Sequence, residues 1–455
     1  MKILYIILTI LLLFTGDILS VPWDTGYIEW EQPDATKFTA RSWGDEFASW
    51  MESDNGYQII LGPDEYYYYA VLDQNGEFTY SENKVGIDEA LSESYHLERS
   101  PQRLAEIEAE IEAFNEQLEQ NYIDFMAEFD GPSTPPLRLA IVLIDFADIL
   151  HNEDYFKSDF DTLFFSTGYY FTDPQFVTPL SPDVEWVYGS MRDYYRNQSI
   201  NKFDIVGKIG SDRSIVNPPD PNNPSKPLWV YMPEDKSFYD SLDKYYVISL
   251  VKAEAENQLN IDLDQYNKTG FIYAGEAGSG GTKATGIQNI FTCYERYKGN
   301  SQVGTFAHIG IPAHEFAHTL GVGDEYGIAL NDIRNWSLMS MGIYNGGDNE
   351  IENGKGSCPA PFSPATRIKF NWVIPDDLNP QENFIVQYNY SAPYFYKINV
   401  PYSSEYFVIE RRQKEGYDLY TPKYENPNDP PKGILIWHID ESYSVQLEPA
   451  NNIFP

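Results

Sequence analysis

The sequence predicts an α+β protein, with a small antiparallel region and one long helix ahead of a larger unit of mixed sheet and helices. Three patterns carry that expectation. Aromatic strand-like runs near the start alternate with Asn-Gly turns, a three-and-four residue apolar repeat follows, and a nearly continuous apolar run at 137–146 then has the length and composition of a buried strand. At 455 residues the chain is long enough for two or three units and a sizeable core.

Residues 1–20 read as a signal peptide: Lys2 precedes an apolar run from Ile3 to Phe14, polar Thr15-Gly16-Asp17 follow, and Ser20 offers a small residue for cleavage. The run is too short to span a bilayer, and no other segment is apolar for long enough. The expected mature protein is secreted and monomeric, without a transmembrane segment.

From Val21 to about Lys84, runs such as Tyr66-Tyr67-Tyr68-Tyr69 are separated by Asp54-Asn55-Gly56 and Gln74-Asn75-Gly76, the turn chemistry of a small antiparallel unit. Ser100 is placed to cap a helix with Pro101 in its first turn. Leu104, Ile107, Ile111, Phe114, Leu118 and Phe125 then recur mostly at helical steps, predicting one amphipathic helix about 40 Å long with a solvated glutamate face. Asp130-Gly131-Pro132-Ser133-Thr134-Pro135-Pro136 is the clearest linker and divides region 21–136 from a unit over 137–455.

Leu137 to Phe146 is expected as a central strand, with a second strand near Gly270 to Ala274. Ile287 to Tyr294 is expected as an edge strand, to which an extended peptide can add. A helix should begin near Ile311-Pro312, and short Tyr- and Val-bearing strands beyond Pro375 suggest a β-rich C-terminal part.

Asp and Glu number 69 against 31 Lys and Arg, a formal charge of −38, which argues against nucleic acid or an anionic membrane as partner. Bound Ca2+ is an expectation around Asp348-Asn349-Glu350 or Asp262-Leu263-Asp264, although neither has EF-hand spacing. Cys293 and Cys358 suit an exported chain with one disulfide bond, which would contribute roughly 4 kcal/mol by loop closure.

The chemistry concentrates in His314-Glu315-Phe316-Ala317-His318-Thr319-Leu320-Gly321-Val322-Gly323-Asp324. On a helix, residues i and i+4 share a face, so His314 and His318 point at one ion with Glu315 beside them. Gly321 is free to leave the helix at positive φ, which turns the chain so that Asp324 can supply a third ligand and a water the fourth. This is the pattern of a zinc hydrolase: Zn2+ held by two imidazoles and a carboxylate lowers the pKa of its water to roughly 7, and Glu315 is the expected general base. Glu325 is read as a solvated or supporting carboxylate. Downstream, Asn335-Trp336-Ser337-Leu338-Met339-Ser340-Met341-Gly342 has the look of a Met-turn, although spacing alone does not choose between its two methionines. His308, His96, His151 and His438 have no local partner at metal-binding spacing and are read as structural or without an assigned role.

His314 to Tyr326, the Trp336 to Gly342 turn, Ser190-Met191-Arg192-Asp193-Tyr194-Tyr195, Phe362-Ser363-Pro364, Glu405 to Gln413 and Gly433 to Glu441 together resemble the immune inhibitor A family of secreted zinc metallopeptidases. The resemblance implies a metzincin-like zincin domain over 137–455, with a twisted mixed sheet, an active-site helix, Met339 in the Met-turn and Asp324 as third ligand. It also implies that 21–136 is a propeptide, so that the protein is made as a zymogen. Asn371 stands where the family has glycine, a change that a turn of positive φ accommodates. The leading expectation is therefore a secreted zinc endopeptidase acting on proteins or peptides. The rival is an exported, non-catalytic zincin-fold binding or adhesion protein, and intact Glu315, His314 and His318 argue against it.

Overall fold

The computed structural model describes residues 23–45, 47–129, 135–168, 189–207, 215–276, 285–297, 305–306, 308–325, 333–346, 356–378, 384–421, 433–440 and 445–447. The signal-peptide expectation, linker residues 130–134 and Asp348-Asn349-Glu350 lie outside them. The architecture is α+β, as expected. No helix among the described residues is long and apolar enough to cross a membrane.

The aromatic N-terminal region forms two three-stranded antiparallel sheets, β1 (Trp23–Glu31), β2 (Lys37–Gly44) and β3 (Ser49–Ser53), then β4 (Ile59–Leu61), β5 (Tyr67–Leu72) and β6 (Phe78–Lys84). Gly56 and Gly76 take φ of 85° and 77° in the turns that the Asn-Gly pairs announce. Phe38, Ala40, Met51, Ile59, Tyr69 and Val85 make a small core between the sheets. Arg99, buried, joins this region to the following helix: its Nε donates to Glu77 Oε1 at 2.6 Å, and Arg103 Nε reaches Glu77 Oε2 at 3.0 Å.

Helix α1 (Pro101–Phe129) has 29 residues, and its first turn is capped where the sequence predicts, with Arg103 N donating to Ser100 Oγ at 3.2 Å. Its buried stripe is Ile107, Phe114, Leu118, Asn121 and Phe125, and Phe125 enters the main core of the molecule.

That core surrounds a sheet ordered β11-β7-β12-β14-β13, made of β7 (Leu137–Phe146), β11 (Val230–Met232), β12 (Lys268–Glu276), β13 (Thr285–Ile287) and β14 (Ile290–Tyr297). β11, β7, β12 and β14 run parallel, and β13 is antiparallel to β14. Short β8 (Ile205–Val206) extends β7 and β15 (Thr305–Phe306) pairs with β14, while β9 (Pro219–Asp220) and β10 (Asn223–Pro227) form a ribbon. β7 is buried at every position except Arg138, in keeping with its continuous apolar run. Gly270 on β12 makes room for the Phe291 ring, which a Cβ there would meet at 2.4 Å.

The expected single edge strand from Ile287 to Tyr294 is corrected. The chain reverses at Gln288, whose φ is 53°, so β14 lies inside the sheet and β13 is the outer strand among the described residues. The reversal was hidden because neither Gly nor Pro marks it.

Helices α2 (Lys157–Phe165), α3 (Met191–Gln198), α4 (Lys236–Asp240) and α5 (Lys244–Leu259) lie in the connections, and α6 (Gly310–Thr319) packs on β14 and β13. Helix α7 (Pro364–Lys369) follows, its first turn capped by Ser363, whose hydroxyl accepts from Thr366 N. Asn371, just beyond α7, takes φ of 55°, the turn of positive φ expected for it. The β-rich C-terminal part is a five-stranded sheet, β16 (Asp376–Asp377), β17 (Tyr396–Asn399), β18 (Tyr406–Arg412), β19 (Gly433–Ile439) and β20 (Val445–Leu447). Buried Arg412 donates to Glu410 Oε1 on its own strand at 2.8 Å and ties this sheet to the Trp336 turn by donating to the Trp336 carbonyl at 2.9 Å.

The expected disulfide is also corrected: Cys293 and Cys358 are both free and buried. Cys293 sits on β14, where it feels the charge of Glu315, whereas the Cys358 thiol points at the Gly416 carbonyl, 3.7 Å away. Their spacing around the helix and turn suits one bond, but the fold commits each side chain to a different packing environment. Burial pushes both thiols well above their ordinary pKa, which leaves them unreactive.

Candidate metal centre

Helix α6 forms at His314 to His318 as its i, i+4 pattern predicts, and every residue from Pro312 to Thr319 is buried. Such complete burial needs polar anchors. Tyr195 on α3 supplies one, its hydroxyl donating to the Ala313 carbonyl at 2.6 Å, and neighbouring Tyr194 donates to Ala360 O at 2.8 Å. Burial raises both phenols well above their ordinary pKa, so they remain donors.

The helix ends at Thr319, and Gly321 takes φ of 91°, as expected. The turn brings Asp324 back to the two histidines. His314 Nε2 lies 3.3 Å and His318 Nε2 3.5 Å from Asp324 Oδ1, and the two Nε2 atoms are 3.2 Å apart. A tetrahedral ion with ligand distances of 2.0–2.1 Å has edges of about 3.3 Å, so this triangle has the dimensions of three corners of such a site.

The ring orientations agree with that use. His314 Nδ1 is 3.1 Å from the Leu338 carbonyl, and His318 Nδ1 is 2.8 Å from the Val322 carbonyl. A carbonyl only accepts, so each Nδ1 carries the proton and each Nε2 presents a lone pair to the common point. Three lone-pair atoms facing one another at these distances repel unless a cation lies among them, and two imidazoles with one carboxylate are a donor set that could hold a divalent transition-metal ion. Glu315 is buried on the same helix. The structure thus brings His314, His318 and Asp324 together and leaves Glu315 beside them in sequence without joining the triangle.

The segment from Asn335 to Gly342 contributes directly. Leu338 supplies the carbonyl that orients His314, Met339 is fully buried while Met341 is only partly so, and Met339 O accepts from Glu325 N at 2.8 Å. Glu325 is half-buried and takes the supporting role. Its carboxylate accepts from the hydroxyls of Ser363 and Thr366, which pins the turn to the start of α7, and burial pushes its pKa up.

Other charged groups found different places. Glu256, Asp262 and Asp264 gather as a half-exposed acidic cluster, and Lys252 already pairs with Asp264. His151 stacks on Trp229 with ring centroids 4.6 Å apart and pairs with Asp145 at 2.9 Å. His96 and His438 pair with Glu52 and Glu405.

Sequence reasoning missed the groups that close the end of α6. Asn121 Nδ2 donates to the His318 carbonyl at 2.9 Å, Lys268 Nζ to Thr319 O at 2.6 Å, and Lys369 Nζ to Gly321 O at 3.4 Å. Burial lowers the Lys268 pKa to about 8. A signal for Asn121 was available: it is the polar member of the apolar stripe that runs from Leu118 to Phe125. Gly321 packs directly on α1, where a Cβ would come within 2.3 Å of Tyr122 N and 2.5 Å of Leu118 O. Gly321→Ala is accordingly expected to cost about 2–5 kcal/mol, combining positive-φ strain with overpacking. Chemical denaturation measures this, and a loss below about 0.5 kcal/mol would show that the helix contact yields freely.

No protein-family model matches the chain, and no curated protein matches it.

Proposed function

We propose that the chain is a secreted zinc-dependent endopeptidase with a zincin-type, metzincin-like catalytic unit, akin to the immune inhibitor A family that its motifs resemble. The single observation that carries this reading is the His314, His318 and Asp324 triangle, with each imidazole oriented by a backbone carbonyl. Zinc held by His314, His318 and Asp324 would supply an activated water and polarise the scissile carbonyl. Glu315 accepts the water proton and returns it to the departing amine. β13 supports a peptide substrate: Gly286 abuts α6, where a Cβ would meet Glu315 O at 2.2 Å, so the outer strand runs beside the helix that carries the base. An extended peptide added to that strand would present its backbone to the site.

The test is zinc content of the purified protein together with casein cleavage, each measured with and without a chelator. One bound zinc and chelator-sensitive cleavage are expected. Stoichiometric zinc without hydrolysis would favour the non-catalytic binding protein, and absence of both would overturn the reading.

A further inference from the structure

We propose that α1 is a working part of the metal centre, and that its Asn121 and Phe114 are positioning residues for the ligand His318. The inference rests on the zinc-peptidase reading and changes one part of it. The linker at 130–136 assigns α1 to a removable N-terminal region, yet α1 reaches the site at three points.

Asn121 is buried, and its amide is held at both ends: Nδ2 donates to the His318 carbonyl at 2.9 Å, and Oδ1 accepts from Gln117 Nε2 at 3.0 Å. Phe114, also buried, sets its ring against the His318 imidazole in a T-shaped contact with centroids 5.4 Å apart. Gly321, which turns the chain toward Asp324, lies on the α1 backbone with no room for a side chain. The same helix is anchored elsewhere in the catalytic core, where Tyr122 donates to Lys369 O at 3.0 Å and the Phe125 ring packs on Phe203 and Phe370.

The last carbonyls of a helix have no partners within it. At α6 they belong to the turn that carries one metal ligand and leads to another, so their partners fix ligand geometry as well as helix stability. Asn121 supplies one partner from α1, in company with Lys268 and Lys369, whose positive charges suit a helix C-terminus. Groups that orient a ligand in this way typically change metal affinity ten- to a hundredfold when removed. Removal of the β1–β6 sheets from a mature protein would therefore have to leave α1 in place.

The test compares zinc affinity, by competition with a chelating indicator, in the full wild-type chain and in Asn121→Leu, which keeps the bulk and loses the donor. Phe114→Leu serves in its place if that variant does not fold. Phe160→Leu, in the core beside Trp229, is the control for loss of stability alone. Asn121→Leu or Phe114→Leu is expected to weaken zinc binding about tenfold, with the control unchanged. Equal affinity in wild type and these variants, or an equal loss in the control, overturns the positioning role. A wild-type chain that takes up no zinc overturns the peptidase reading itself. A protease site placed in the linker gives an independent arm: after cutting, the α1 fragment should co-elute with the remainder and zinc affinity should persist. A fragment that separates, leaving a remainder with undiminished zinc affinity, overturns the proposal.

Discussion

Glu315→Gln is expected to abolish nearly all peptide hydrolysis while zinc stays bound. The substitution preserves side-chain shape and removes only the group that can take a proton, so the triangle of His314, His318 and Asp324 is left as it stands. General-base catalysis is worth about 10²–10⁴ in rate, and the loss in kcat should fall in that range. KM should change little, because glutamine contributes similar contacts to bound peptide. Glu315 is buried in the middle of a sheet-packed helix, so the neutral amide should also cost no stability through desolvation. The measurement is single-turnover cleavage of a fluorogenic peptide alongside metal analysis of the same preparation. Retention of more than a few per cent of activity with full zinc occupancy would remove Glu315 from the role of base.

What could be read in the sequence divides by range. Features fixed by neighbours along the chain were legible: the capped start and length of α1, the apolar run of β7, the helical pairing of His314 with His318, the positive φ of Gly321, and the tolerance of Asn371 for a glycine-like turn. Features fixed by tertiary contact were not. Asn121 and the His318 carbonyl are 197 positions apart, and nothing local tells a polar residue in an apolar stripe which distant carbonyl it will meet. The cysteines fit a spacing argument but are separated by the packing of β14 and the Gly416 loop. Glu325 could be read only as a solvated or a supporting carboxylate, and the arrival of Ser363 and Thr366 at the start of α7 decides for the brace. The linker drew a boundary after residue 136, while the side chains of α1 disregard it, because a Pro-rich stretch records where the chain turns and not which side its predecessor packs against.

Asp324 and Glu325 provide the sharpest test of the site, because adjacent carboxylates are assigned unlike tasks. Asp324 Oδ1 faces both imidazoles at 3.3 and 3.5 Å, whereas Glu325 turns away to the hydroxyls of Ser363 and Thr366. Asp324→Ala removes one of only three protein ligands together with its charge, and zinc affinity should fall at least about a hundredfold, beyond the ten- to hundredfold loss typical of supporting groups. Glu325→Gln keeps the brace nearly isosteric and should leave zinc affinity close to that of wild type. Glu325→Ala differs from both: it empties a half-buried position and strands the hydroxyls, so its cost should appear as roughly 1–3 kcal/mol of stability rather than as a specific loss of metal. Zinc titration of the three variants, each checked for its unfolding midpoint, separates these outcomes. A hundredfold loss in Glu325→Gln with Asp324→Ala unaffected would mean that the turn after Gly321 delivers the neighbouring carboxylate, and the assignment of Asp324 as third ligand would have to be given up.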